Sequence, residues 1–321
     1  MSECKDAPLL LTGTLGLYQT SPISLPYFET NPHHPNKLVF VPGLTDTLGV
    51  VPYLPQLATV LDNVSYSLVQ LVKSSDLGGF GTSSLEGDAQ EIAQLIEHLK
   101  TRTKNPCTGK LIIMGHSTGC QDVITFLSQD RMLSEQTGDA CIHVDGGICQ
   151  APVSDRDYFE AYATSQNTQQ LQECREKLSN NMPSALLDRS QAKYKPESVH
   201  GRGKGNSEAV LNPAFTAYRF ASLNDRNGDD DFFSSDFSDD QIREAIMPAL
   251  SRAPLMFLMG EQDEYMPATI NKLQLLKRWS DALSGQRFYT EYILGANHKV
   301  DDTKAQHQAC QAVLKFIQTL L

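Results

Sequence analysis

The most constraining feature of the sequence is the segment Leu111–Asp122, LIIMGHSTGCQD, in which an apolar run leads into a serine flanked by glycines. The run predicts a buried strand, and the residues from Val123 onward have helical character. Gly115 and Gly119 stand two residues before and two residues after Ser117. A serine on a sharp strand-to-helix turn has a strained backbone, and glycines give that turn room. The segment therefore predicts a nucleophile elbow that exposes the Ser117 hydroxyl.

Short apolar strands alternate with longer helical patterns along most of the chain. This alternation is typical of a doubly wound, mostly parallel sheet. Together with the serine elbow, it predicts an α/β-hydrolase fold. Strands are predicted over 37–41, 66–72, 111–114, 142–149, 255–259 and 288–294, after two short strands within 9–29, and helices over 48–61, 85–99, 267–282 and 302–320.

The alternation stops between residues 154 and 250, where a polar helical stretch over 160–181 precedes an acidic run over 225–240. We predict that 154–250 is a cap inserted into a hydrolase core formed by 1–153 and 251–321. The acidic run is predicted to be mostly a solvated face. Phe232 and Phe233 interrupt it, and they are predicted to line the substrate pocket.

Composition narrows the classes of function. The 321 residues carry a formal net charge of −11, which disfavours nucleic acid as a partner. No apolar run approaches the roughly 20 residues of a membrane span, and the N-terminus lacks the basic and apolar regions of a signal peptide. The seven cysteines lack metal-ligand spacing, so we expect no metal and no cofactor. An odd cysteine count also favours a reducing, cytoplasmic location.

A serine hydroxyl needs a base to take its proton and a carboxylate to orient that base. In the α/β-hydrolase fold, the acid and then the histidine follow the nucleophile in the chain, at the ends of late strands. Asp263 follows the predicted strand 255–259, and His298 follows the strand 288–294. The predicted triad is therefore Ser117, Asp263 and His298, with Glu261 and Glu264 as alternative acids.

An oxyanion hole requires two hydrogen-bond donors near the nucleophile. The first is predicted to be the N–H of Thr118, the residue after the nucleophile. The second is predicted to be the N–H of Leu44, because Gly43 lets that backbone approach the elbow. The amide or hydroxyl of Thr45 is the alternative. His116, inside the elbow, is predicted to pack under the turn or to line the pocket.

Four blocks of sequence resemble a fungal and protist α/β-hydrolase family, formerly labelled a domain of unknown function, that includes intracellular siderophore esterases. The resemblance implies a cytosolic fusarinine C or triacetylfusarinine C esterase, and Ser117, Asp263 and His298 match the family's triad positions. An iron-loaded siderophore would bring Fe(III) in with the substrate. The blocks are Val41–Asp46, Gly115–Asp122, Gln150–Arg156 and Gly260–Tyr265.

The resemblance leaves several questions open. Arg156 is expected to hold the cap through ion pairs or to contact a substrate oxygen in the pocket. Family membership does not fix the acyl group, so a general carboxylesterase, a lipase or a thioesterase is the nearest alternative. A ligand-binding protein without catalysis is the second alternative, although such a protein has no need to keep all three triad residues.

Overall fold

The computed structural model describes residues 10–137, 142–188 and 213–320, with the backbone alone described for 130–137. Eight strands form one sheet in the described ranges: β1 (Thr14–Gln19), β2 (Leu25–Glu29), β3 (Asn36–Val41), β4 (Tyr66–Leu71), β5 (Leu111–His116), β6 (Gly146–Gln150), β7 (Leu255–Gly260) and β8 (Phe288–Ile293).

Nine α-helices accompany the sheet in the same ranges, with a short 3₁₀ helix at Phe80–Thr82. They are α1 (Leu54–Asp62), α2 (Leu85–Thr101), α3 (Gly119–Thr137), α4 (Asp155–Tyr162), α5 (Ser165–Ser179), α6 (Ala217–Asn224), α7 (Asp239–Leu250), α8 (Lys272–Ala282) and α9 (Thr303–Thr319). None of the helices in these ranges has the length and apolar character needed to cross a bilayer.

The strand order is β1-β2-β4-β3-β5-β6-β7-β8, and all pairs from β4 to β8 are parallel. The first two strands pair antiparallel to their neighbours. After β3 the chain adds β4 on one side of the sheet, and from β5 onward it adds strands on the other side. The strand order therefore reverses between β3 and β5. Open sheets bind ligands at such a reversal, beyond the carboxyl ends of the strands. The predicted α/β-hydrolase fold is confirmed.

The apolar runs of the central strands are explained by burial on both faces of the sheet. Every residue of β4, β5, β6 and β7 is buried. Alternate residues point to opposite faces, so Leu38 and Phe40 enter one hydrophobic cluster while Val39 and Val41 enter the other. Helices α1 and α9 cover the first face, and α2, α3, α7 and α8 cover the second.

Some helices begin at residues other than those that the apolar spacing predicts, because capping residues determine where they start. The predicted helix 160–181 is divided between α4 and α5, because the Thr164 side chain caps the second helix in a capping box with Asn167. The predicted helix at 267 begins later, after Asn271 accepts a hydrogen bond from the Gln274 N–H. Helix α2 agrees with its prediction and begins after the capping residue Ser84.

The predicted cap contributes Leu171, Phe215 and Phe220 to a small separate hydrophobic cluster, which also contains Phe80 from outside the cap. Helix α7 differs, because Ile242 and Ile246 are buried in the main core, and this helix packs against α3 and α8. One helix within the predicted 154–250 insertion is thus part of the core. Residues 189–212 of the predicted cap lie outside the described residues. The boundary itself stays a prediction.

The acidic run is a solvated face only in part: Asp229, Asp236, Asp239 and Asp240 are exposed, but two of its carboxylates are buried in ion pairs. Asp230 is buried and pairs with Arg219 at 2.5 Å. The Asp231 carboxylate is buried against the Arg156 guanidinium, with Nε and Oδ2 2.9 Å apart. Arg156 also pairs with Asp236, and it is 1% exposed. These ion pairs hold the insertion together. They engage the Arg156 guanidinium, whose alternative predicted role is contact with a substrate oxygen in the pocket.

Phe233 packs into the hydrophobic core beside the sheet, and its place in the substrate pocket stays a prediction. Its side chain is 1% exposed and packs edge-on against Phe257, with ring centroids 5.5 Å apart, and beside Trp279. Phe232 is half-buried and packs against the same cluster. An aromatic ring within a polar run gains about 1.5–3 kcal/mol from burial, which explains why these rings turn inward.

We predict that Phe233→Ala destabilises the fold, because it opens a cavity between β7 and α8. The expected loss is about 3–5 kcal/mol in the free energy of unfolding, measured by urea denaturation followed by circular dichroism. Phe232→Ala serves as the matched control and should cost clearly less, since that ring is only half-buried. Equal losses for the two variants would contradict the assigned packing.

Candidate active site

The backbone at Ser117 adopts the strained turn that the elbow requires. Its φ is +56°, a value that non-glycine residues rarely adopt. A Cβ on Gly115 would lie 2.1 Å from the Gly119 carbonyl oxygen, and a Cβ on Gly119 would lie 2.4 Å from the Val41 carbonyl oxygen. Glycine is therefore required at both positions, because a side chain at either one would collide with main-chain atoms.

The loop after β3 touches the elbow directly. A Cβ on Gly43 would stand 2.8 Å from the Ser117 Cβ and 3.3 Å from the Thr118 nitrogen. The turn continues through Thr45, whose φ of +64° is unfavourable for a β-branched residue. The Leu44 N–H donates to the Thr118 hydroxyl oxygen at 2.6 Å. The structure thus brings together Leu44, Thr45 and Thr118, but the Leu44 N–H already has an acceptor.

His298 and Asp263 form a buried pair at the carboxyl ends of β8 and β7. The His298 Nδ1 lies 2.9 Å from both carboxylate oxygens of Asp263, and both residues are 2% exposed. An ionised carboxylate only accepts hydrogen bonds, so in the neutral imidazole Nδ1 carries the hydrogen and Nε2 keeps its lone pair. Glu264, an alternative acid, accepts the His298 main-chain N–H at 2.9 Å instead.

The environment of His298 favours its protonated form. Burial works to lower the pKa of His298, but the charge and hydrogen bond of Asp263, and the charges of Glu264 and Asp46, outweigh it. The net result is a pKa above the ordinary value. The Tyr265 ring covers the imidazole, with ring centroids 4.2 Å apart.

His116 packs under the turn, as one of its two predicted roles required. Burial, together with the charge of His298, holds the pKa of His116 well below its usual range, so this ring stays neutral. Its Nδ1 lies 2.6 Å from the Gln150 side-chain oxygen, and its ring centroid is 4.9 Å from that of His298.

Gln150 connects the Ser117 turn to His298, a role that the sequence analysis did not predict. Its main-chain oxygen accepts the Ser117 N–H at 3.0 Å, and its side-chain nitrogen donates to the His298 carbonyl oxygen at 3.1 Å. The Tyr53 hydroxyl donates to the same side chain. Gln150 stands opposite His116 in the β5–β6 register, which no local sequence pattern reveals.

A buried lysine joins the elbow helix to the loop after β3. The Lys73 ammonium lies 2.5 Å from an Asp122 carboxylate oxygen in α3 and 3.4 Å from the Pro42 carbonyl oxygen. Asp88 lies 3.4 Å from the same ammonium. Burial raises the pKa of Asp122 to about 8, against the opposing charge of Lys73. Two segments that carry predicted oxyanion donors are therefore held by one charged group.

The described residues contain no group of three or more His, Cys, Asp or Glu side chains placed to hold a metal ion. The chemistry that the arrangement supports is nucleophilic: a strained serine turn, an oriented imidazole and a loop in contact with the turn.

The chain is similar to known proteins along its whole length. A family model described as "Protein of unknown function (DUF1749)" matches residues 1–321. The fusarinine C esterase sidJ of Aspergillus fumigatus is 32% identical over 313 residues, covering 85% of this chain and 83% of that protein. Esterase AN6793 of Emericella nidulans is 29% identical over 325 residues, covering 90% and 87%.

Among solved structures, the siderophore hydrolase EstB from Aspergillus fumigatus superposes with a TM-score of 0.75 at 26% identity. The match covers 97% of this chain and 98% of that one. The family match over the whole chain and the relative above 30% identity support one conclusion. The chain belongs to the DUF1749 family, and its relatives, named esterases and a siderophore hydrolase, mark it as a carboxylesterase-type hydrolase with an α/β-hydrolase fold.

Proposed function

We propose that this protein is a serine esterase that hydrolyses the ester bonds of a fusarinine-type siderophore, such as fusarinine C or triacetylfusarinine C. The observation that carries the esterase part is the buried pair of His298 and Asp263, whose imidazole packs 4.9 Å from the ring of His116, the residue before the strained Ser117. The siderophore part is supported by two relatives, one named as a fusarinine C esterase and one as a siderophore hydrolase.

In the acylation step, Nε2 of His298 takes the proton from the Ser117 hydroxyl, and the oxygen attacks the ester carbonyl carbon. Asp263 holds the imidazole through Nδ1 and stabilises the imidazolium that forms. The carbonyl oxygen becomes an oxyanion that hydrogen-bond donors near Thr118 stabilise. The protonated Nε2 then gives its proton to the leaving alcohol, which leaves an acyl group on Ser117.

Deacylation repeats these steps with water as the nucleophile. His298 takes a proton from water, the hydroxide attacks the acyl carbon, and the proton then passes to the Ser117 oxygen as the acid departs. Each cycle consumes one water and cuts one ester bond. Iron enters as Fe(III) bound to the siderophore, and cleavage of the ester links weakens its chelation.

We also propose that the protein acts in the cytoplasm. The described cysteines at 107, 120, 149, 174 and 310 are all unpaired thiols in buried positions. Reduced buried cysteines are typical of a reducing compartment.

We predict that Ser117→Ala abolishes hydrolysis, with kcat reduced by about 10⁴-fold or more. Mass spectrometry should detect products that gain one water per cut ester when the wild-type protein is incubated with iron-loaded fusarinine C or triacetylfusarinine C. Ser128→Ala, in the helix α3 that follows the elbow, is the control and should keep the wild-type rate. Hydrolysis confined to 4-nitrophenyl esters would instead favour a general carboxylesterase.

We predict that charge beside His298 sets the acidic limb of the pH profile of kcat/KM. The imidazole must be neutral to take a proton, so activity falls as pH drops through its raised pKa. Glu264 raises that pKa, and Glu264→Gln keeps an acceptor for the His298 N–H while removing the charge. The acidic limb should therefore move to lower pH.

The matched control for this experiment is Glu261→Gln. The Glu261 side chain is exposed and accepts the Gly295 N–H, so its loss should leave the limb almost in place. An equal displacement in both variants would show that general surface charge, and no local effect on His298, controls the profile.

A further inference from the structure

The hydrogen bond between Leu44 and Thr118 changes which group can face the substrate. The Leu44 N–H, predicted to be a direct oxyanion donor, has a single hydrogen and directs it at the Thr118 Oγ1 over 2.6 Å. The Thr118 side chain is confined, because the residue is only 6% exposed. Its hydroxyl oxygen therefore occupies the position that an oxyanion would need in order to reach the Leu44 N–H.

The hydroxyl keeps a donor of its own. A threonine hydroxyl can accept one hydrogen bond and donate another at the same time. Within the described part of the chain, Leu44 donates to this oxygen, and no acceptor receives the hydroxyl hydrogen. The main-chain N–H of the same residue, Thr118, is the first predicted oxyanion donor.

The surrounding contacts keep the two segments at a fixed separation. The Lys73 ammonium donates to the Pro42 carbonyl oxygen, two residues before Leu44, and to Asp122 in the first turns of α3. Gly43 packs against the elbow so closely that a Cβ would meet the Ser117 Cβ at 2.8 Å. These contacts oppose the movement of either segment that Leu44 would need in order to exchange acceptors.

We propose that the Thr118 hydroxyl is itself an oxyanion donor. The Leu44 N–H donates to the hydroxyl oxygen, and the hydroxyl hydrogen donates to the substrate's carbonyl oxygen beside the Thr118 N–H. Donation by Leu44 polarises the hydroxyl and strengthens its own donation, because hydrogen bonds in a chain reinforce one another. The proton stays on Thr118 throughout. This assignment rests on the proposed esterase function, and it makes Thr118 a catalytic residue through two of its atoms.

The two arrangements of donors predict opposite results for Thr118→Val, which keeps the side-chain shape and removes the hydroxyl. If the hydroxyl donates to the oxyanion, kcat for 4-nitrophenyl acetate falls about 10²–10³-fold, while KM changes little. Thr118→Ser restores the hydroxyl and should recover most of kcat. If Leu44 is the direct donor, Thr118→Val frees its N–H, and kcat stays the same or rises, which would overturn the proposal.

Thr125→Val provides a matched control in the same helix. Thr125 is also buried, and its hydroxyl has no partner in the described structure, so this variant should keep wild-type kcat. If Thr118→Val does not fold, Thr118→Ala removes the same hydroxyl and should show the same loss of kcat. Unchanged kcat in a folded Thr118→Ala variant would equally overturn the proposal.

The affinity of a transition-state analogue measures stabilisation of the oxyanion separately from binding of the substrate. An alkyl trifluoromethyl ketone adds to the Ser117 oxygen and forms an alkoxide in the oxyanion hole, so its affinity should fall about as much as kcat in Thr118→Val. Equal affinity in both proteins would contradict the hydroxyl's role. Failure of the esterase function appears differently, as wild-type hydrolysis that is absent or survives in Ser117→Ala, and it would overturn both proposals.

Discussion

Contact between backbones at the end of β5 determines where the Ser117 hydroxyl can point. The helix that follows the turn crosses the strand that precedes it, so that Gly115 and Gly119 face one another without side chains. The loop after β3 approaches from the other side, through Gly43. With three segments in contact, the serine has little freedom, and its positive φ is held by the surrounding chain. The buried pair of His298 and Asp263 is useful only because this turn is fixed.

Buried charge provides the second layer of organisation. The chain is acidic overall, yet several of its carboxylates serve inside the protein as partners of Lys73, Arg156 and Arg219. A buried pair adds little net stability, but removal of one partner costs about 3–5 kcal/mol, because the other charge remains in a dry environment. Such pairs therefore specify which segments meet: Lys73 links the elbow helix to the loop after β3, and the two arginines organise the insertion.

The fold class could be predicted because strand burial and the glycine spacing are local properties of the sequence. The same holds for His298 and Asp263, whose positions follow from strand ends. The roles of Gln150 and Lys73 could not be predicted, since they depend on the register between strands and on contacts between distant segments. The core packing of Phe233 could not be predicted for a related reason: a polar neighbourhood in sequence says little about where a ring packs in three dimensions.

The position of the only tryptophan has a practical consequence. Trp279 is 2% exposed on α8, where its ring lies against Phe257 of β7, the strand that leads to Asp263. Intrinsic fluorescence excited at the indole band therefore originates from one buried site in the wild-type chain. Emission from this residue follows the integrity of the scaffold beneath the proposed catalytic acid, without any introduced label.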